Sequence, residues 1–434
     1  MHDHAQPITV LPARAIRGEL AVPGDKSISH RSIMLGSLAR GTTRISNFLR
    51  GGDNFSTMGA FRAMGVPIED DGQIITVQGV GLHGLKEPGD VLDCGNSGTT
   101  IRLMTGLLSG QSFFSVLTGD QYLRKRPMKR VVEPLARMGA RIAGRGAGTL
   151  APLAITGGPL SGVDYSSPIA SAQVKSALML AGLYATGETR VTEPSLSRDH
   201  SERMFRFFGA DLDTFSNGVV VRGGRELQGQ EIVVPGDISS AAFFMVAALI
   251  VPGSELLIKN VGVNPTRTGV LDILKAMGGD ITLQNLRDVS GEPVADLLVR
   301  SSRLKGIEIG GDLVPRAIDE FPAISVAASV AEGTTVIRDA RELRVKETDR
   351  IAAMAKNLRS IGAGQIEETE DGMVIQGVEV LAGGEITSFG DHRIAMSLAL
   401  AALVSRNKVQ IDDVSCVATS FPGFFELLDR VAVR

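Results

Sequence analysis

Six short stretches of this 434-residue chain hold the residues best suited to chemistry. They are Lys26-Ser-Ile-Ser-His-Arg31, Asn96-Ser-Gly-Thr99, Ser171-Ala-Gln-Val-Lys175, Asp237-Ile-Ser-Ser240, Asp319-Glu-Phe-Pro322 and Asp391-His-Arg393. Each opens an apolar run. Ser, Asn and Asp are the usual side chains at helix N-termini, and Pro322 suits a first turn. Capping accounts for those residues but not for Lys26, Arg31, Lys175 and Arg393 in or near first turns. A cation there opposes the helix dipole. It becomes favourable when an anion lies against both the cation and the free backbone N–H groups. Several such helix ends facing one cleft would bind a polyanion. Two basic clusters add to this: Arg124-Lys-Arg126-Pro-Met-Lys129-Arg130 and Arg344-Val-Lys346-Glu347-Thr-Asp349-Arg350. The second opens a helix over 351–358, with Lys346 and Arg350 four apart on one face. Taken alone, each cluster reads equally as a solvated charged face.

The elements that must position these residues repeat along the chain. Apolar helices are expected over 29–39, 97–108, 172–184, 240–250, 321–330 and 393–404. They are apolar nearly all round, which marks buried helices, and Ala and Leu favour helix over strand. In phase with them, a second helix ends at Gly65, Gly139, Gly209, Gly278 and Gly362, spaced by 74, 70, 69 and 84 residues. Each glycine follows an Arg/Lys/Ala-x-Met/Phe/Ile pattern and precedes a β-branched stretch, as expected of a helix stop before a strand. The segment 425–433 reads as a sixth copy cut off at its helix. The halves repeat too: Val22-Pro-Gly-Asp-Lys-Ser27 recurs as Val234-Pro-Gly-Asp-Ile-Ser239, 212 residues on. The expected domains are therefore 24–235, and 236–434 with 1–23 joined to it.

Composition narrows the function classes. Net charge is −3, with no Trp and three Tyr, which disfavours a nucleic-acid surface. Two cysteines make no disulfide framework or Cys-rich zinc site, so a reducing, cytoplasmic setting is expected. No basic-then-apolar leader is visible, and the longest apolar runs are about half the ~20 residues that span a bilayer. No phosphate loop of the G-x-x-x-x-G-K-[ST] form, no dinucleotide fingerprint and no G-x-S-x-G elbow occurs. His30, His200 and His392 lack i, i+4 ligand spacing, so no metal is expected.

At these residues the chain resembles the enolpyruvyl transferase family. The motifs are P-G-D-K-S-x-S-H-R at 23–31, N-S-G-T at 96–99, K-R-P-M at 125–128, S-A-Q-V-K at 171–175, R-D-H-S-E at 198–202, N-P-T-R at 264–267, D-E-F-P at 319–322, R-V-K-E-T-D-R at 344–350 and D-H-R at 391–393. They occur in the family's order, cover essentially the whole chain, and resemble the class II form of the branch that acts on shikimate 3-phosphate. The resemblance implies a two-domain inside-out α/β barrel of six βαβαββ-type repeats, three per domain, with the active site in the cleft. It implies transfer of the carboxyvinyl group of phosphoenolpyruvate to the 5-hydroxyl of shikimate 3-phosphate with release of phosphate, towards chorismate and the aromatic amino acids. No cofactor, membrane or nucleic acid is implied, and a monomer is.

By the same resemblance Asp319 is the base at the 5-hydroxyl, with Lys26 and Glu347 in the proton transfers. Lys26, Ser27, Arg31, Ser171, Ala172, Gln173, Arg198, Asp319 and Lys346 would hold shikimate 3-phosphate. Lys26, Gly98, Arg126, Gln173, Arg350 and Arg393 would hold phosphoenolpyruvate. The chemistry is consistent with those residue types: two anionic substrates need cations, and addition followed by elimination needs a carboxylate and a lysine exchanging protons. Two departures stand out. Ala418 occupies a place where some members carry lysine, and Ala172 one where some carry a second serine. Gly98, where tolerant class II members have alanine, implies sensitivity to glyphosate. A sister enzyme acting on UDP-N-acetylglucosamine shows Lys-Asn in place of Lys26-Ser27 and a loop cysteine; 118–128 has none.

Overall fold

The computed structural model describes residues 6–434. The chain forms two compact units. One comprises the chain up to Pro23, Pro235–Asp288 and Pro293–Arg434; the other comprises Gly24–Val234 and Val289–Glu292. Both are mixed α/β.

In the Gly24–Val234 unit three sheets share one strand pattern. Glu231–Val233 runs parallel to Ala39–Ser46, which pairs antiparallel with Ile74–Val80, itself antiparallel to Ile68–Asp70. Leu92–Asp93, Phe114–Thr118, Leu150–Thr156 and Arg141–Gly144 repeat that order. So do Asp164–Ser166, Glu188–Thr192, Gly218–Arg222 and Asp211–Phe215. In the other unit Glu308–Ile309, Thr334–Ile337, Met373–Gln376 and Ile366–Glu368 follow it again. Ala15–Ala21 runs parallel to Glu255–Gly262, which is followed by Glu292–Arg300 and the edge strand Asp280–Val289. Gly384–Ile386, Val409–Ile411 and Ile8–Val10 form the last sheet.

The apolar helices are buried, as their all-round hydrophobicity requires. They are Lys26–Leu38, Gly98–Ser109 and Ala172–Gly182 in one unit, and Ile238–Ile250, Phe321–Ser329 and His392–Leu403 in the other. Every residue of Ile238–Ile250 except the last is buried. Close packing needs glycine at 106, where a Cβ would lie 2.0 Å from the Ala177 carbonyl oxygen of the neighbouring helix. In the other core Phe243, Phe244, Phe421 and Phe424 stack edge-on or tilted, 5.3–5.9 Å between centroids.

The five expected glycine stops take left-handed φ: Gly65 (86°), Gly139 (97°), Gly209 (86°), Gly278 (93°) and Gly362 (81°). That conformation is open to glycine at little cost. The segment read as a truncated copy goes one element further: helix Phe424–Val431 continues into strand Ala432–Val433, which pairs with Ala15 and Ile16. Among the described residues no helix is long and apolar enough to cross a membrane.

Candidate functional site

The residues singled out in sequence fall into two clusters, one per unit. In the Gly24–Val234 unit they gather at the N-termini of the three buried helices. Asp25 caps Lys26–Leu38, accepting from Ile28 N at 2.9 Å. Lys26 is the first helical residue, and its Nζ lies 2.5 Å from Asp53 Oδ2. Half-buried Ser27 accepts from Arg31 Nη1 through its carbonyl at 3.0 Å. The Arg31 guanidinium also donates to Ser201 Oγ and Ser176 Oγ, each at 2.7 Å. Burial lowers its pKa to about 10, with Asp25 and Glu202 opposing, so it stays a cation at neutral pH.

Gly98 begins the second helix, whose cap Ser97 accepts from Thr100 N at 3.0 Å. A Cβ on Gly98 would lie 2.8 Å from Arg126 Nη1 and 3.0 Å from Arg102 Nη1. Arg126 Nη1 donates to the Asn96 carbonyl at 3.3 Å. Arg102 was missed by the sequence reading. It is buried, donating to Gln173 Oε1 at 2.6 Å and to the Pro127 carbonyl at 3.2 Å, and Gln173 Nε2 donates to Thr99 Oγ1 at 3.1 Å. The available signal was a single arginine inside an otherwise apolar helix.

Ser171 caps the third helix, which starts at Ala172. Its N–H donates to Glu193 Oε1 at 2.9 Å, and Glu193 Oε2 accepts from Ser197 Oγ at 2.8 Å, next to Arg198. Glu193 thus ties the loop at Ser171 to the loop at Arg198. Lys175 corrects the expectation that it meets an external anion. Its side chain is fully buried, with Nζ 2.8 Å from both Glu193 and Glu202. Burial works against the charge, but the two carboxylates outweigh it and hold the pKa above the usual lysine value.

In the other unit the cluster centres on Asp319, just before helix Phe321–Ser329. Lys346 Nζ is 3.6 Å from Asp319 Oδ1, Arg350 Nη1 is 3.5 Å from the same oxygen, and Arg393 Nη2 is 3.9 Å from Oδ2. Arg393 Nη1 also donates to the Asp319 carbonyl at 3.1 Å. Arg350 is buried. Its Nε donates to Asp391 Oδ2 at 2.8 Å and its Nη2 to Glu347 Oε2 at 2.7 Å, while Nη1 makes no hydrogen bond. Desolvation opposes its charge; Asp391, Glu347 and Asp319 outweigh it and push the pKa up. Desolvation dominates at Lys346, with Arg350 adding, and its pKa falls below the ordinary lysine value despite Asp319 and Glu342. One expectation fails in detail. Lys346 does not share a helix face with Arg350, because the helix starts at Arg350, capped by Asp349, and Lys346 lies in the turn before it. Both still reach Asp319. Ala418 lies in the short 3₁₀ turn Ser415–Thr419 and brings no cation.

This arrangement offers a carboxylate poised against three cations, a lysine that gives up its proton more readily than usual, and, separately, helix N-termini flanked by Lys26, Arg31 and Arg126. It suits anionic substrates and proton exchange. Among the described residues no group of three or more His, Cys, Asp or Glu side chains gathers as metal ligands.

Comparison with known proteins agrees with this chemistry. Residues 10–428 match the family model of EPSP synthase (3-phosphoshikimate 1-carboxyvinyltransferase). The chain is 71% identical over 428 residues to the 3-phosphoshikimate 1-carboxyvinyltransferase of Geotalea uraniireducens, covering 99% of this chain and 100% of that one. It is 71% identical to that of Geobacter sulfurreducens over 98% of each chain. The solved EPSP synthase of Acinetobacter baumannii superposes with a TM-score of 0.88 at 51% identity, covering 99% of this chain and 98% of that one. With a model matched along nearly its whole length, the chain belongs to the EPSP synthase family.

Proposed function

We propose that the two clusters act on the same pair of substrates and together perform this family's reaction. The enzyme transfers the carboxyvinyl group of phosphoenolpyruvate to the 5-hydroxyl of shikimate 3-phosphate and releases phosphate, a step of the shikimate pathway. The observation that carries the assignment of roles is Asp319 within 4 Å of Lys346, Arg350 and Arg393.

In the proposed sequence Asp319 takes the proton of the 5-hydroxyl as its oxygen attacks C2 of phosphoenolpyruvate. The methylene carbon takes a proton from Lys26 or Glu347, giving a tetrahedral adduct. The methyl group then returns a proton, the bond from C2 to the phosphate oxygen breaks, and phosphate leaves. Arg126, Arg350 and Arg393 carry the phosphoenolpyruvate charges, with Gly98 and Gln173 beside them. Ser171, Ala172, Gln173 and Arg198 cradle shikimate 3-phosphate at the third helix N-terminus, joined by Lys26, Ser27, Arg31 and Lys346. Arg350 supports this role as a guanidinium held charged by Asp391 and Glu347, with Nη1 3.5 Å from Asp319, where a fork of donors suits a carboxylate or phosphate.

We read the five like-ordered sheets and the three-stranded sheet of Gly384–Ile386, Val409–Ile411 and Ile8–Val10 as six βαβαββ-type copies, three per domain, in an inside-out α/β barrel. The acting form is a cytoplasmic monomer, inhibited by glyphosate. The test is product formation from phosphoenolpyruvate with either shikimate 3-phosphate or UDP-N-acetylglucosamine as acceptor. Enolpyruvylation of shikimate 3-phosphate alone is expected; enolpyruvylation of the sugar nucleotide alone would overturn the assignment.

A further inference from the structure

Two motifs have no part in the scheme above: Asn264-Pro-Thr-Arg267, and Val234–Ser239, which repeats the Lys26 segment without its lysine. In the structure they meet beside the base. Asn264 Oδ1 accepts from Thr266 N at 2.9 Å and from Thr266 Oγ1 at 2.8 Å, and the Asn264 carbonyl accepts from Arg267 N at 2.8 Å. This tight turn aims Arg267 inward. Arg267 Nη2 donates to Ser239 Oγ at 2.6 Å and to Asp237 Oδ1 at 3.2 Å. Ser239 Oγ donates in turn to Glu320 Oε1, which lies 3.8 Å from Arg267 Nη2. The Arg267 and Glu320 side chains are 3% and 0% exposed.

Glu320 is the residue after Asp319. Its backbone is held at both ends: its N–H donates to the Ala317 carbonyl and its carbonyl accepts from Ile324 N, each at 3.0 Å. A buried carboxylate needs a buried cation, and breaking such a pair leaves an uncompensated charge. Here that charge would lie one residue from Asp319.

We propose that Arg267, acting through Ser239 and Glu320, is a positioning residue for Asp319. It fixes the 319–320 backbone and offsets the second negative charge beside the base. This rests on the reading of Asp319 as the base. Glu320 meets Ser239 and Arg267, and Asp237 lies 3.2 Å from Arg267, whereas Asp319 faces Lys346, Arg350 and Arg393. We place the effect of Arg267 on Asp319 through its contacts with Ser239 and Glu320, as a positioning rather than a catalytic residue.

The experiment measures kcat against pH, both KM values and thermal midpoints for Glu320→Gln, Arg267→Met, the double variant, and Asp319→Asn. Gln at 320 keeps an acceptor for Ser239 but loses the charge, which makes Asp319 a stronger acid. The acid limb of kcat should move down by about half a pH unit. Met at 267 leaves Glu320 uncompensated, and the limb should move up by about as much. The double variant returns the cluster to its wild-type net charge, with Asp237 still negative, and should bring the limb back near wild type even where Arg267→Met alone folds poorly. Each single variant should lose kcat roughly tenfold through misplacement, with both KM values within about twofold of wild type. A pair that only stabilises the fold would lower the thermal midpoints and leave the limb where it was; that result overturns the proposal. So does a limb moving the same way in both singles. If Asp319→Asn keeps its activity, Asp319 is not the base, and that reading falls together with the proposal.

Discussion

Replacing Gly98 with alanine isolates how the second helix end handles phosphoenolpyruvate. The new methyl would lie 2.8 Å from Arg126 Nη1 and 3.0 Å from Arg102 Nη1, where an ordinary contact is about 3.5–4.0 Å. Both are ends of flexible side chains, so the chain yields there and the backbone keeps its place. Arg126 is expected to withdraw by roughly an ångström. Gly98 is helical, so alanine returns up to about 1 kcal/mol of conformational entropy, and the thermal midpoint should stay level or rise. The loss falls on binding. A hydrogen bond to a charged group is worth about 1.5–3 kcal/mol, so displacing Arg126 should raise KM for phosphoenolpyruvate about 10- to 150-fold. KM for shikimate 3-phosphate should change little. Glyphosate, longer than phosphoenolpyruvate, should lose more affinity than the substrate does. The assay is steady-state phosphate release with each substrate varied in turn, with and without glyphosate, beside a thermal melt. An unchanged KM for phosphoenolpyruvate would refute the reasoning. So would a melt several degrees lower, because packing rather than Arg126 would then have absorbed the methyl.

Three more expectations follow from buried charges. Burial lowers the Lys346 pKa, so activity that needs its cation should fall on an alkaline limb below the ~10.4 of a free lysine. Lys346→Arg should move that limb up, and an unmoved limb would release Lys346 from its role. His30 is buried, bonded through Nδ1 to Thr57 Oγ1 at 2.7 Å, and burial, then Lys26 and Arg31, push its pKa well below 6.5. The unfolded chain then binds the extra proton, so stability is lost as pH falls below about 6.5. His30→Asn should narrow the gap between melts at pH 7.5 and 5.5, and an equal gap would contradict this. Arg350→Met strands Asp391, which is 0% exposed, and should cost about 3–5 kcal/mol, whereas Arg350→Lys should cost less. Equal melts for the two would count against the Asp391 pair.

Much of this was legible in the chain because repeats show themselves through spacing. Ala- and Leu-rich runs became buried helices, and five glycines took the left-handed φ a helix stop requires. The charged residues at helix starts were readable for the same reason: a cation in a first turn stands out against the dipole. What failed depended on partners distant in sequence. Lys175 looked like Lys26, yet Glu193 and Glu202, 18 and 27 residues on, claim it. Nothing local reveals that. Lys346 was given a helical face because the spacing to Arg350 fits one, but Asp349 caps the helix and leaves Lys346 outside it. Arg102 passed unread and Arg267, though part of a motif, was given no role, because an arginine's value here lies in what its fork reaches, Gln173 in one case and Ser239 in the other.

The central claim is that Asp319, held among Lys346, Arg350 and Arg393, drives transfer between two substrates. Its most direct test is phosphate release from phosphoenolpyruvate, with and without shikimate 3-phosphate, for the wild-type protein and Asp319→Ala. Release that requires both substrates and collapses in the variant is the predicted result. Release that persists at the wild-type rate in Asp319→Ala would contradict the account.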